Sequence, residues 1–311
     1  GGEHHQRDDG ERQLQAQHDL AEDQKLPGFP AAVKALAFTG LEWKYLAPIM
    51  ATFFGACFAL VAFRIFAAKL NDYQALWAVG LFLLSLASPI LQTGYAESLG
   101  LLLLALAIFF WISERFWLTL VSMAALAFTR PGLAALALAI AVVWIYRFVQ
   151  AQLANRAFPI RDAFRLGPLS LAALLLNFAW PWTAAVVTGR HDAYVATELA
   201  WRAAYPFGGG GLNPILPWFS SAEYFIGGSL GQAVVILAIF SAVAVFFIPQ
   251  VRALGLELNA FVASYFVYLL MFFFPQSSIL RILMPTFLLY GALAQGGARQ
   301  PQCCDHPCAS A

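Results

Sequence analysis

The sequence predicts an all-α fold, a bundle of helices that cross a membrane several times. Two features of composition carry this prediction: 61% of the 311 residues are apolar and only 11% are charged, whereas soluble domains usually carry about 25% charged residues. The apolar residues form long runs, and about 20 such residues in a helix cross the hydrocarbon core. Because open strand edges have no partners in lipid, we expect these runs to be helical.

Nine apolar runs are candidate spans, so we expect about eight or nine membrane helices. The fourth run is short, and we expect it to tilt or to pack inside the bundle against the run that follows Arg130 and Pro131. The nine runs are Leu46–Ala68, Ala75–Leu91, Tyr95–Ile112, Phe116–Phe128, Leu133–Phe148, Leu169–Val187, Ser229–Ile248, Leu256–Phe274 and Leu280–Ala294.

Polar segments flank this membrane domain, which we place at 27–295 with a long loop at 189–225. Residues 1–26 lack the apolar core of a signal peptide. We interpret them either as a disordered tail or as a non-native start downstream of the natural beginning. Residues 296–311 are interpreted as a second disordered tail.

Neither nucleic acid nor a metal is an expected partner. The formal net charge is +1, and no basic patch with interleaved aromatic residues is present. Cys303, Cys304 and Cys308 lie beside His306 near the end of the chain, but without the spaced pairs of a zinc site, and Cys57 lies alone in an apolar run. No metal site is predicted, and a divalent metal is unsupported.

The distribution of Lys and Arg predicts the orientation in the membrane. If the Arg-rich joint between the fifth and sixth runs is cytoplasmic, alternation of the runs places nine cationic residues inside and four outside, with the first tail uncounted. Those inside are Arg64, Lys69, Arg115, Arg147, Arg156, Arg161, Arg165, Arg252 and Arg299; those outside are Arg130, Arg190, Arg202 and Arg281. The outer face also collects the Pro27–Pro30, Thr93–Ser98 and Pro275–Ser278 segments, so we expect it to be the functional face.

Three charged residues stand out in these outer segments. Glu97 begins an apolar helix, where an acid at membrane depth costs at least ~2.5 kcal/mol unless it is paired or hydrated. It is either a helix-start carboxylate favoured by the helix dipole or part of a polar cavity. Arg130 is either an interfacial anchor or a phosphate ligand. Arg281 lies at the start of a helix, where its charge opposes the dipole, so a phosphate or Glu97 is its expected partner.

The 189–225 loop is long enough to be functional or disordered. It carries Glu198, Trp201 and Arg202, and a run of four glycines at 208–211 that lacks the GK[ST] of a phosphate-binding loop. Its aromatic residues fit either an interfacial belt or a surface that stacks on a sugar.

Four segments together resemble the PIG-V-like mannosyltransferases, especially their actinobacterial membrane branch. Pro27–Leu36 is similar to the "FPGYPxLVRxL" stretch of that family, Gly94–Leu99 to "GYTESLF", Thr129–Gly132 to "TRPxG", and Pro275–Pro285 to the late "SxxRxxxP" segment. The order and spacing agree from about Pro27 to Ala294.

The resemblance implies a GT-C-like fold in a bacterial plasma membrane, and transfer of mannose from a polyprenyl-phosphate donor to an acceptor on the outer face. For such a transfer we expect Arg130 and Arg281 to bind the donor phosphate and the 189–225 loop, with Glu198, Trp201 and Arg202, to cover the acceptor. The expected cavity residues are Tyr95, Glu97, Ser98, Gln276, Ser277 and Ser278. The family's general base is expected upstream of Pro27, where nothing matches its motif, so no catalytic residue is assigned.

Two other classes of function stay open. A transporter or flippase also uses isolated membrane carboxylates, although such carriers usually show internal repeats, and none is evident. A non-catalytic membrane scaffold of envelope biosynthesis is the other alternative.

Overall fold

The computed structural model describes residues 26–203, 205, 213–273, 275–276 and 278–297. The two predicted tails lie outside these residues except at Leu26, Gly296 and Gly297. The glycine run at 208–211 and Ser277 also lie outside them. All regular structure in the described ranges is helical, and these ranges contain no strand.

The described chain forms a succession of α-helices joined by short turns and 3-10 segments. The 3-10 segments are Ala37–Thr39, Ser88–Gln92, Val245–Phe247 and Met284–Leu289. The α-helices are α1 (Gly28–Lys34), α2 (Trp43–Ala67), α3 (Asp72–Leu83), α4 (Glu97–Ile112), α5 (Phe116–Ala127), α6 (Leu133–Leu153), α7 (Ile160–Asn177), α8 (Ala179–Thr188), α9 (Ala193–Ala203), α10 (Leu216–Ile226), α11 (Gly228–Ala244), α12 (Pro249–Arg252), α13 (Leu256–Phe272), α14 (Ile279–Leu283) and α15 (Tyr290–Gly297).

Five helical segments of the described chain are long and apolar enough to cross a membrane. Three shorter apolar helices, α4, α5 and α13, pack among them. This supports the prediction of an all-α membrane bundle, while the count of eight or nine spans stays a prediction. The five segments are Trp43–Ala67, Leu133–Leu153, Ile160–Thr188, Gly228–Phe247 and Ile279–Gly296.

Three of the predicted runs are interrupted, each near a proline. A proline has no N–H for the backbone ladder, so the helix loses one backbone hydrogen bond at each of these positions. An apolar run in the sequence therefore does not guarantee one unbroken helix. The interrupted runs are Ala75–Leu91 with Pro89, Leu169–Val187 with Pro181, and Leu280–Ala294 with Pro285.

Much of the outer surface of the bundle is apolar. On α11, for example, Leu230, Leu237 and Phe240 each expose more than 60% of their surface. A soluble monomer rarely shows contiguous apolar patches of this kind. Such a surface suits contact with lipid.

The core between the helices is built on interlocking aromatic rings. Phe287, on the last 3-10 segment, lies 5.0 Å from Phe58 on α2, and Phe58 lies 5.3 Å from Phe82 on α3, measured between ring centroids. All three side chains are buried. These edge-to-face contacts hold the 3-10 segment that follows α14, the helix that carries Arg281.

Contacts between elements sort the helix ends into two groups. At one end, the Gly28 amide donates to the Phe128 carbonyl (2.8 Å), and the Ile215 amide donates to the Leu270 carbonyl (2.9 Å). At the opposite end, Arg147 on α6 pairs with Asp162 on α7 (3.0 Å) and with Glu257 on α13 (2.6 Å). The motif-bearing segments thus lie together at one end and the Arg-rich joints at the other, as the predicted topology requires.

Candidate functional site

The three charged residues that stand out in the sequence meet at the motif-bearing end of the bundle. Glu97 is the first residue of α4, and its side chain is only 6% exposed. Its Oε1 atom forms an ion pair with Nη1 of Arg130, and Nε of Arg281 lies 3.1 Å from the same oxygen. We call these three residues the ionic cluster.

Local structure explains why each charge can lie there. Glu97 benefits from the positive end of the α4 dipole. Arg130 lies in the joint between α5 and α6, where Gly132 adopts a φ of 133° and α6 begins only at Leu133. This positive φ is open to glycine and unfavourable for other residues.

Gly100, one turn after Glu97 on α4, makes room for the arginine. A Cβ atom at this position would lie 2.7 Å from Cδ and 2.9 Å from Cγ of Arg130. The arginine stem therefore crosses α4 where a side chain is missing. Gly100 could not be singled out from the sequence, because a glycine in a helical run has no distinctive local signature.

Tyr265 on α13 positions Arg281 through the backbone of α14. Its hydroxyl donates to the Ile282 carbonyl at 2.6 Å. In the i, i+3 pattern of the following 3-10 segment, the donor to that carbonyl would be Pro285, which has no N–H. The tyrosine thus satisfies a carbonyl that the proline leaves open, next to the residue that carries the guanidinium. Nothing in the apolar run around Tyr265 distinguished it in the sequence.

A cleft opens beside the ionic cluster, between α4 and α13. The cavity is small, with a volume of about 40 Å³. Its walls are charged at one end and apolar at the other. The charged end consists of Glu97, Arg130 and Arg281, and the apolar wall includes Leu101, Leu104, Leu126, Phe261 and Met284.

The other predicted cavity residues are placed differently from one another. Tyr95 is exposed, and the guanidinium carbon of Arg281 lies 5.7 Å from its ring centroid, within the range of a cation–π contact. Ser98 is fully buried and donates to the Leu91 carbonyl at 2.9 Å, so it joins α4 to the preceding 3-10 segment. Gln276 and Ser278 flank the start of α14 without lining the cleft, and Ser277 lies outside the described residues.

The 189–225 loop contains two helices, α9 and α10, in its described part. Arg202 on α9 is 3% exposed and donates through Nη2 to the Phe272 carbonyl at the end of α13. A cation is favoured at this negative end of the helix dipole. The contact therefore holds α9 onto the bundle.

Around that anchor, α9 presents further polar groups. Nε of Arg202 lies 3.5 Å from Oε1 of Glu198, whose side chain is 42% exposed. Burial raises the pKa of the Tyr194 phenol, and the negative charge of Glu198 raises it further. The side chain of Trp201 lies outside the described structure. Among these groups, Glu198 presents a half-exposed carboxylate on α9.

Within the described residues, no three His, Cys, Asp or Glu side chains lie close enough together to hold a metal ion. The cysteines near His306 belong to the part of the chain that is not described. The ionic cluster contains one carboxylate and two arginines, a donor set that suits an anion.

Comparison with protein-family models, with curated proteins and with solved structures finds no match for this chain.

Proposed function

We propose that this protein is a membrane glycosyltransferase of the GT-C type, which transfers a sugar from a polyprenyl-phosphate donor at the membrane face that bears the ionic cluster. Mannose is the proposed sugar, by resemblance to the PIG-V-like family. The single observation that carries the proposal is the convergence of Arg130 and Arg281 on Glu97 beside an apolar-walled cleft.

The charge balance of the cluster supports binding of a phosphodiester. Two guanidinium groups and one carboxylate leave a net charge of +1, and a sugar joined to a prenyl phosphate carries one negative charge. Guanidinium groups bind phosphate oxygens with paired, charge-assisted hydrogen bonds. The two arginines would therefore neutralise the phosphate of the donor at the membrane surface.

The same arrangement favours departure of the phosphate. In the transfer, the acceptor oxygen bonds to the anomeric carbon and the bond from that carbon to the phosphate oxygen breaks. The released prenyl phosphate is a monoester, which carries close to two negative charges at neutral pH. Arg130 and Arg281 stabilise the charge that develops on the leaving oxygen. The acceptor's proton passes to a general base, which the resemblance expects upstream of Pro27 and which we assign to no residue.

Glu97 acts in this scheme as a positioning residue. Its carboxylate pairs with both guanidinium groups and keeps them side by side. A phosphate that binds to the arginines replaces this carboxylate as their partner. The half-exposed Glu198 and the rest of α9 lie at the same end of the bundle, where they would meet the acceptor.

The test uses the full chain in lipid nanodiscs. Arg130→Ala is expected to weaken undecaprenyl phosphate binding about tenfold or more, since a hydrogen bond to a charged group contributes about 1.5–3 kcal/mol. Transfer of radiolabelled mannose from its prenyl-phosphate donor to a membrane extract should fall with it. Arg190→Ala is the matched control, because Arg190 is exposed and pairs only with its neighbour Asp192 among the described residues.

If Arg130→Ala binds undecaprenyl phosphate and transfers mannose normally, the assignment of Arg130 to the donor phosphate is wrong. Accumulation of the donor lipid in sealed vesicles without any mannosyl product would show a flippase in place of a transferase.

A further inference from the structure

The turn between α4 and α5 places a carboxylate among arginines at the end of the bundle opposite the cleft. Oε2 of the half-exposed Glu114 lies 2.7 Å from Nη2 of Arg161, and Oε1 lies 2.6 Å from Nη1 of Arg165. Arg115 follows Glu114 in the chain and is exposed. We call these four residues the arginine cluster. It holds three guanidinium groups around one carboxylate.

Glu114 lies at a backbone position that usually belongs to glycine. Its φ is 61°. The Arg115 amide donates to the Phe110 carbonyl at 2.9 Å and the Glu114 amide to the Trp111 carbonyl at 3.1 Å, a pattern that commonly ends a helix on a left-handed glycine. A residue with a Cβ atom is less favourable there. The ion pairs with Arg161 and Arg165 offset this cost, so the carboxylate serves to hold the arginines together.

The neighbouring ion pairs leave the cluster with an excess of positive charge. Asp162 lies 3.6 Å from Arg165 but pairs more closely with Arg147, at 3.0 Å. Counted over the whole network, five cationic side chains lie among three carboxylates, which leaves two positive charges. The cations are Lys69, Arg115, Arg147, Arg161 and Arg165, and the carboxylates are Glu114, Asp162 and Glu257.

The excess charge is accessible at two of these arginines. The side chain of Arg161 is 75% exposed. Arg115 is exposed and forms no ion pair within the described part of the chain. Both can therefore pair with an external anion while Arg165 keeps its contact with Glu114.

Arg165 supplies a second sign that the cluster lacks an acceptor. Its side chain is only 9% exposed, and its Nε atom is buried with no hydrogen-bond acceptor among the described residues. A buried donor without an acceptor is unfavourable, and most such groups in proteins are satisfied. Additional oxygen atoms at the cluster are what an anionic group provides.

Two helices also begin at the cluster. Helix α5 begins at Phe116, directly after Arg115, and α7 begins at Ile160, directly before Arg161. Neither start is capped by a side chain, and the first turn of α5 contains no acidic residue. The first amide N–H groups of a helix have no partner within it and favour an anion. The start of α5 thus adds backbone donors to the guanidinium groups.

The surface beyond the cluster is apolar and begins with aromatic side chains. Trp117 on α5 and Phe164 on α7 are 72% and 74% exposed, and the two helices pack on each other. Leu171 and Leu175 continue the exposed face of α7 at spacings of seven and four residues. Tryptophan is typical of the level at which headgroups meet acyl chains. A positive site that passes directly into an apolar surface suits an anionic amphiphile.

We propose that the arginine cluster binds the headgroup of an anionic phospholipid from the membrane leaflet at this end of the bundle. The phosphate oxygens accept hydrogen bonds from Arg115, from Arg161 and from the first amides of α5, and the acyl chains lie along α5 and α7. Guanidinium groups suit phosphate oxygens, and cations near the membrane surface attract anionic lipids. A bound lipid joins the α4–α5 turn to α7 and so stabilises the bundle.

The experiment compares phosphatidylglycerol with phosphatidylcholine on the full chain. The protein is placed in nanodiscs that contain both lipids in equal amounts, and the lipids that stay bound after transfer to a mild detergent are counted by native mass spectrometry. We expect the wild type to retain phosphatidylglycerol preferentially. The double variant Arg115→Ala/Arg161→Ala is expected to lower that preference about tenfold or more, since each cation near an anionic lipid contributes roughly fivefold.

Two further variants separate charge from folding. Arg115→Lys/Arg161→Lys keeps both charges and should keep most of the preference. If the double alanine variant does not fold, the single variant Arg115→Ala carries the test, because Arg115 has no ion pair to lose within the described residues. Arg252→Ala is the matched control, an exposed cation at the same end that precedes α13, and it should leave the preference unchanged.

Three outcomes would overturn this inference. The first is equal retention of the two lipids by the wild type. The second is an equal loss of preference in Arg252→Ala and in the double alanine variant, which would show general attraction to a positive end. The third concerns inorganic phosphate: if it raises the thermal unfolding midpoint of the wild type as much as phosphatidylglycerol does, and the double variant loses both effects, the cluster binds soluble phosphate. None of these outcomes bears on the proposed function, which Arg130→Ala tests at the other end.

Discussion

At the residue scale, Glu97 keeps two arginines side by side in a site that is largely shielded from water. Removing one partner of a buried ion pair costs about 3–5 kcal/mol. Arg130 and Arg281 are 25% and 34% exposed, so screening by solvent reduces the cost here to about 1–3 kcal/mol.

We therefore expect Glu97→Gln to lower the thermal unfolding midpoint in detergent. We also expect inorganic phosphate to raise that midpoint more for the variant than for the wild type, because the anion replaces the missing charge. Glu223→Gln, at an exposed position on α10, is the control, and an equal response to phosphate in variant and wild type would contradict this role.

Gly100 belongs to the same scale, since its missing side chain gives Arg130 its position. Gly100→Ala places a methyl group where the arginine stem lies, so we expect weaker binding of undecaprenyl phosphate without loss of the helix. Gly80→Ala in α3 is a matched comparison, because an added Cβ there meets nothing within 4 Å. It should leave binding unchanged and stabilise the helix by about 0.5–1 kcal/mol. Equal phosphate binding by the two alanine variants would show that Arg130 does not depend on this space.

At the scale of elements, Arg147 joins three helices at the end opposite the cleft. It pairs with Asp162 on α7 and Glu257 on α13, while Lys69, just after α2, lies 3.8 Å from the same glutamate. Arg147→Ala leaves two partly buried carboxylates without their main partner, and we expect it to destabilise the fold by about 1–2 kcal/mol. Lipid phosphate binding should stay within about twofold of wild type, since the two ends are joined only through the rigid bundle. Arg156→Ala, at an exposed position near the same end, is the control in thermal unfolding. If both variants unfold at the same midpoint, the Arg147 ion pairs do not contribute to stability.

At the scale of the whole molecule, the division into two ends predicts which residues face each side of the membrane. Lys44 lies near the cleft end, and Asn155 follows α6 at the opposite end. In a background with all native cysteines replaced, we expect a membrane-impermeant maleimide to label Lys44→Cys in intact cells and Asn155→Cys only after lysis. The excess of Lys and Arg at the Asn155 end is the physical reason. Labelling of both positions from the same side would contradict a bundle that separates them across the membrane. The reverse pattern would place the cleft on the cytoplasmic side.

Composition and local pattern were enough to predict the class of fold and to single out the charged residues. Hydropathy is a local property, and lipid permits few structures other than helices, so long apolar runs already predict a membrane bundle. Glu97 and Arg281 were likewise visible as isolated charges beside apolar runs, because burying such charges without a partner is unfavourable at any such position. The breaks near Pro181 and Pro285 were missed, since a proline can be accommodated in a membrane helix and its effect depends on neighbouring partners.

The meeting of Arg130 and Arg281 at one carboxylate oxygen of Glu97 is a result of tertiary packing. That meeting depends on packing between segments far apart in the chain, on the space at Gly100 and on the hydrogen bond from the Tyr265 hydroxyl to the Ile282 carbonyl. Local patterns determine which segments are helical and which charges need partners, whereas the identity of those partners depends on long-range packing.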